Sequence, residues 1–250
     1  MPNATLHRLF TVVALILAFG FSPLALAQVR VLAYGDSNTW GWKPTRDGVS
    51  TPRYADSERW AGVMQKALGA DYVVEVNGLI ARTLAVDQTS GIGALKGPDF
   101  NGLRRLDLAL MQTGPIHLLM VMLGTNDMID SLHRSPSQIA AGLASLAAKA
   151  RSGTSAHGAS THPRLLVVIP PPFGDPRQGP FNDLFGPRAI AKSRLLADAM
   201  QKEARRLHLL SFDAGSVVTL DSVDGVHLTE EGHRKLGLAL AAEVTRLVAP

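Results

Sequence analysis

The chain has 250 residues, 46% hydrophobic and 18% charged, a globular profile with ample material for the core of one α/β domain. Its net charge of +4 is dispersed, with no dense basic block interleaved with aromatics, so charge gives no support for a nucleic-acid partner. Cysteine is absent, which excludes disulfides, thiolate nucleophiles and Cys-ligated zinc.

At the N-terminus, His7 and Arg8 precede an apolar run from Leu9 to Phe21, broken by Ser22 and Pro23 and followed by Ala25-Leu26-Ala27. A basic start, a short apolar core and small residues at −3 and −1 describe a secretory signal peptide over 1–27, with a mature chain from Gln28. An uncleaved anchor is the alternative, although the run is shorter than the roughly 20 residues a membrane span needs. The expectation is an exported protein, periplasmic or secreted, with no membrane attachment once the signal is removed.

Five short apolar runs follow: 29–35, 72–78, 116–124, 164–172 and 207–213. Each is rich in Val, Leu and Ile, as strands buried on both faces are. Between them, Arg59–Leu68, Leu103–Met111, Gln138–Arg151, Ile190–Arg206 and Glu230–Val248 carry helical apolar spacing. Alternating strands and helices predict one parallel sheet with helices on both faces, in a single domain over 28–250. A Ser/Gly/His-rich loop is expected over 151–163. A longer Pro/Gly-rich excursion is expected over 170–187, where 173–186 reads as a lid, a subunit contact of a homo-oligomer, or a merely solvated loop.

In open α/β sheets, functional groups gather at the carboxyl ends of the strands. The first strand exits into Gly35-Asp36-Ser37-Asn38, where Ser37 is either a helix cap or a nucleophile opening a helix. The second exits into Asn77-Gly78-Leu79-Ile80-Ala81-Arg82, whose small residues permit close backbone approach and leave an N–H available. The third exits into Gly124-Thr125-Asn126-Asp127; the Asn126 amide suits a developing oxyanion, and the same residues also make capping turns. After the fifth strand, Asp224 stands three residues before His227, close enough to reach its Nδ1–H and leave Nε2 facing outward as a base. A hydroxyl, neutral donors and an Asp–His pair at one sheet edge describe an acyl-transfer site. No G-x-S-x-G is present, so the nucleophile-elbow template does not apply.

These four blocks resemble those of the SGNH (GDSL-type) hydrolase family from Val31 to about Val248. The strings G-D-S-N-T-W-G-W, G-L-I-A-R-T, M-L-G-T-N-D, F-D-A-G-S-V and D-G-V-H-L-T look like its bacterial arylesterase/acyltransferase branch. The resemblance implies a flavodoxin-like three-layer α/β sandwich around a five-stranded parallel sheet. It implies a serine esterase acting on short-chain aryl or alkyl esters, with acyl transfer to alcohols, or to peroxide, even in water. Ser37, His227 and Asp224 would form the catalytic set, and the N–H groups of Ser37 and Ala81 with the Asn126 amide would form the oxyanion hole. The expected partners are small esters and alcohols, and no metal or organic cofactor is implied. Two departures stand out: Asn38 replaces the Leu of GDSL, and the usual glycine of the second block is Ala81. Ile80 stands where close members carry a small polar residue, so it should narrow or dry the acyl pocket. Trp40 and Trp42 either wall the acceptor side or pack as core. Rival readings are a carbohydrate acetylesterase, a lysophospholipase/thioesterase of the same fold, and a non-catalytic periplasmic binding protein.

Overall fold

The structure is a computed structural model that describes residues 28–49, 52–152, 162–175 and 179–248. The expected signal peptide and most of the loop expected over 151–163 lie outside the described residues.

In chain order the elements are β1 (Val29–Gly35), α1 (Ser37–Trp40), α2 (Trp60–Leu68), β2 (Tyr72–Gly78), α3 (Gly102–Thr113), β3 (Leu118–Met122), α4 (Pro136–Ala140), α5 (Gly142–Ser152), β4 (Arg164–Ile169), α6 (Asn182–Phe185), α7 (Ala189–Arg206), β5 (Leu210–Asp213) and α8 (Glu230–Leu247). The strands form one sheet in the order β2-β1-β3-β4-β5, every neighbouring pair parallel. This is the flavodoxin-like order, whose switch point lies between β1 and β3. All five residues of β3 are buried, as are Val31 to Tyr34 of β1, because central parallel strands are covered on both faces. β2, at the sheet edge, is mostly only half-buried. α2 packs on α8, while α4, α5 and α7 pack among themselves, so the sheet is sandwiched between two helical layers. Among the described residues, no helix is long and apolar enough to cross a membrane.

Most boundaries shift by no more than two residues from expectation, and three differences have a clear physical cause. The helix expected over 138–151 is two, α4 and α5. The break falls at Ala141, and Gly142 opens α5 where a side chain would come within 3.1 Å of both Leu84 and Ala85. β4 stops at Ile169, because the prolines that follow have no N–H for a ladder. β5 begins only at Leu210, since Leu207 caps α7 and His208 turns the chain at φ +53°.

Candidate active site

Ser37 is the first residue of α1, immediately beyond the β1 terminus. The Asp36 carboxylate caps this short helix, accepting from the Asn38 N–H at 3.0 Å. Two glycines seat the turn by close approach. A side chain at Gly35 would lie 2.0 Å from the Thr39 hydroxyl, and one at Gly78 would lie 2.4 Å from the Trp40 backbone nitrogen. At Gly78 the close backbone approach expected of the second block is that of α1.

His227 and Asp224 arrive on the segment leading into α8, whose N-cap is Thr229. The Ser37 hydroxyl lies 2.9 Å from His227 Nε2, and His227 Nδ1 lies 2.9 Å from Asp224 Oδ2. A carboxylate only accepts, so the imidazole carries its proton on Nδ1 and presents a bare Nε2 to the hydroxyl. Asp224 is fully buried. Its other oxygen accepts from the N–H groups of Val226 at 2.9 Å and His227 at 3.0 Å, and from the Ser222 hydroxyl at 2.9 Å. Burial pushes this carboxyl up, but the hydrogen bond and charge of His227, with the two N–H groups, outweigh it and hold Asp224 below the usual range.

The His227 ring is fixed on its faces as well. Trp42 stacks on it with ring centres 5.1 Å apart and planes 20° apart, and Phe181 meets it edge-on at 5.4 Å. Such pairs contribute on the order of 1 kcal/mol each beyond simple burial.

Ser37, His227, Ala81 and Asn126 line one cavity of about 280 Å³. Ala81 adopts a left-handed backbone, φ +59°, which for a residue with a Cβ costs about 1–2 kcal/mol. That conformation is the physical reason a glycine suits this position. Asn126 Nδ2 donates one hydrogen to the Arg82 carbonyl at 3.0 Å, and the second amide hydrogen is left over. The neighbouring Asp127 accepts from the Leu84 N–H at 2.6 Å, tying the β3 exit to the loop beyond Ala81. Burial pushes the Asp127 carboxyl up to about 6. At Asp36 burial has the same effect, raising it to about 7 against the pull of the Asn38 N–H, the Arg82 guanidinium and the Thr125 hydroxyl.

The remaining expectations divide. Ile80 and Trp42 line the cavity. Trp40 does not: it faces a separate surface pocket with Asp56, Arg59 and Gln65, and Arg53 lies 5.2 Å over its ring. α1 holds only four residues and the chain turns at Gly41, so the two indoles remain a tilted pair with ring centres 6.4 Å apart while lining different pockets. Phe181 and Phe185 also line the cavity, so the excursion after β4 forms part of its wall. They were missed as site residues because nothing in their spacing marks them; their place in a long irregular loop was the available signal. Asn38 and Arg82, which stood in the motifs without an assigned role, turn out to bridge the blocks. Among the described residues, no three His, Asp or Glu side chains converge as a metal-ligand set.

A family model for GDSL-like lipases/acylhydrolases matches residues 33–235. The chain belongs to this family. Solved structures similar to this SGNH hydrolase include an aryl esterase from M. smegmatis, 38% identical over 88% of this chain and 100% of that one, with a TM-score of 0.79. A carbohydrate acetylesterase from Sinorhizobium meliloti is 35% identical over the same shares, with a TM-score of 0.79. A second carbohydrate acetylesterase family member from S. meliloti is 33% identical over 89% of this chain and 100% of that one, with a TM-score of 0.80. No curated protein matches the sequence. In this SGNH hydrolase the serine turn and the asparagine turn flank the switch point of the sheet, one at the β1 exit and the other just beyond β3.

Proposed function

We propose that the protein is an exported serine esterase that hydrolyses short-chain aryl and alkyl esters and transfers the acyl group to alcohols. The observation that carries this reading is the Ser37–His227–Asp224 hydrogen-bond chain opening into a cavity that also holds Ala81 and Asn126. His227 Nε2 takes the hydroxyl proton as Ser37 Oγ attacks the acyl carbon, and Asp224 stabilises the imidazolium. The oxyanion receives the Ser37 and Ala81 N–H groups and the spare hydrogen of Asn126. The imidazolium returns its proton to the leaving alkoxide, and water or an alcohol then resolves the acyl-enzyme by the same steps in reverse.

The walls support an apolar substrate. Trp42, Ile80, Ile92, Phe100, Ile129 and Phe181 surround the reacting groups, and among the described residues the only polar linings beyond Ser37, Asn126 and His227 are Gln88 and Ser90. A cavity of about 280 Å³ lies at the small end for ligand sites, which suits short acyl chains. Apolar walls beside His227 also disfavour water as the acceptor, and this supports transfer. The carbohydrate acetylesterase reading rests on the S. meliloti structures, but an acetylated sugar would find few hydrogen-bond partners among these walls. Export rests on the pattern of residues 1–27 alone.

Two assays test the proposal. Ser37→Ala should lower p-nitrophenyl acetate hydrolysis at least about 10³-fold, and near-normal turnover removes the nucleophile. Vinyl acetate with benzyl alcohol in buffer should yield benzyl acetate; acetate as the sole product reduces the enzyme to a plain esterase.

A further inference from the structure

We propose that Arg82 is the positioning residue of the oxyanion hole, holding in register the three chain segments that supply its donors. The inference rests on the reading of Ser37, Ala81 and Asn126 given above. Arg82 is only 5% exposed, yet its guanidinium is directed at carbonyl oxygens rather than at a carboxylate. Nη1 donates to the Gly35 carbonyl at 2.9 Å and to the Asn77 carbonyl at 2.6 Å. Nη2 donates to the Asn77 side-chain oxygen at 2.8 Å. The cation also lies 4.2 Å over the Tyr34 ring. Gly35 ends β1 two residues before Ser37, and Asn77 lies at the end of β2 four residues before Ala81. The same residue's carbonyl accepts from Asn126 Nδ2 at 3.0 Å.

Each contact bears on a donor. Ala81 immediately precedes Arg82, so fixing the guanidinium across the ends of β1 and β2 limits how the strained Ala81 peptide can turn. An amide nitrogen is planar with two hydrogens; once one is held by the Arg82 carbonyl, the direction of the other is set. Burial of a cation is costly and pulls the Arg82 pKa down; its Nη1 and Nη2 meet acceptors that offset this, while its buried Nε meets none. A lysine has the charge, but its single donor nitrogen sits on a shorter stem and lacks the planar fork that holds the Asn77 side-chain oxygen together with the two strand-end carbonyls.

The test compares Arg82→Lys, Asn126→Ala, the double variant and Ser37→Ala on p-nitrophenyl acetate. Arg82→Lys is expected to lower kcat roughly 100-fold, the scale of one misplaced oxyanion donor, with KM within about threefold. Because Arg82 acts through Asn126 and Ala81, the double variant should lose far less than the product of the single losses. Multiplying losses, or a change carried by KM alone, overturns the proposal. If Arg82→Lys fails to fold, Asn77→Ala decides, since it removes one acceptor and leaves the cation. A roughly tenfold fall in kcat at constant KM supports the assignment, and unchanged kcat overturns it. Ser37→Ala separates the two levels: if it keeps its activity, the nucleophile reading fails and the positioning role falls with it. If it is inactive while kcat survives in the Arg82 and Asn77 variants, only the positioning role fails.

Discussion

The Asn38 side chain is hydrogen-bonded to the segment that carries the histidine: the Leu228 N–H donates to Asn38 Oδ1 at 2.8 Å. Asn38 Nδ2 in turn donates to the Val226 carbonyl at 3.2 Å, so one buried amide brackets His227 from the residue next to Ser37. The position that departs from the GDSL pattern therefore joins two chain segments nearly 190 residues apart.

Replacing this amide by a carboxylate tests the bracket. Asn38→Asp keeps an acceptor for Leu228 but sets a negative oxygen against the Val226 carbonyl. The expected outcome is a loss of about tenfold in kcat and a lower Tm by thermal unfolding, at the scale of about 1–3 kcal/mol for an unmatched buried polar group. Activity and Tm equal to those of the parent would count against it.

Asp36 gives a pH dependence of defined sign. Its carboxyl titrates near 7 in the folded protein against 3.8 for the free side chain, because burial disfavours the charge. Between these values the folded state holds the extra proton, so this group's stabilisation is complete below pH 3.8 and is lost as pH rises through 7. The shift corresponds to at most about 4 kcal/mol. Asp36→Asn keeps the acceptor for Asn38 and has no proton to lose. Its Tm relative to the parent should therefore rise by several degrees between pH 5 and pH 8, and parallel profiles would rule the mechanism out.

The strain at Ala81 is directly measurable. Ala81→Gly removes the Cβ penalty at φ +59° while retaining the N–H, so a gain of about 0.5–1 kcal/mol in urea unfolding is expected, with activity within a few-fold of the parent. A variant less stable than the parent would mean that the alanine side chain contributes packing that outweighs the strain.

Ile80 should set the acyl ceiling. Its side chain lines the small cavity beside Ser37, and Ile80→Ala removes three carbons from that wall. The ratio of kcat/KM for p-nitrophenyl hexanoate over acetate should rise by about tenfold or more, consistent with 1–3 kcal/mol per methylene-sized change in an apolar pocket. A constant ratio across the acyl series would assign the ceiling to another wall.

Much of this molecule is legible before folding is considered. The five strands are short runs of branched apolar residues, and their burial on both faces is what those side chains require. Ser37, Asn126 and the Asp224–His227 spacing stand out because each sits at a strand exit or in the loop beyond, where a parallel sheet collects its polar groups. Periodicity reports only what a residue needs locally, buried or exposed, and carries no information on which distant backbone group it will meet. The bridges from Asn38 to Leu228, Arg82 to Gly35 and Asp127 to Leu84 span 43 to 190 residues and satisfy buried carbonyls and N–H groups that are brought within reach only once the strand ends are side by side. Likewise Trp40 and Trp42, two residues apart and still in ring contact, line different pockets after the turn at Gly41, and Phe181 reaches His227 only through the path of an irregular loop. The sequence by itself determined the sheet, its order of burial and the chemical groups available at its edge. Tertiary structure alone decided which of those groups meet and how tightly they are held, because that depends on matching buried donors to acceptors across the fold.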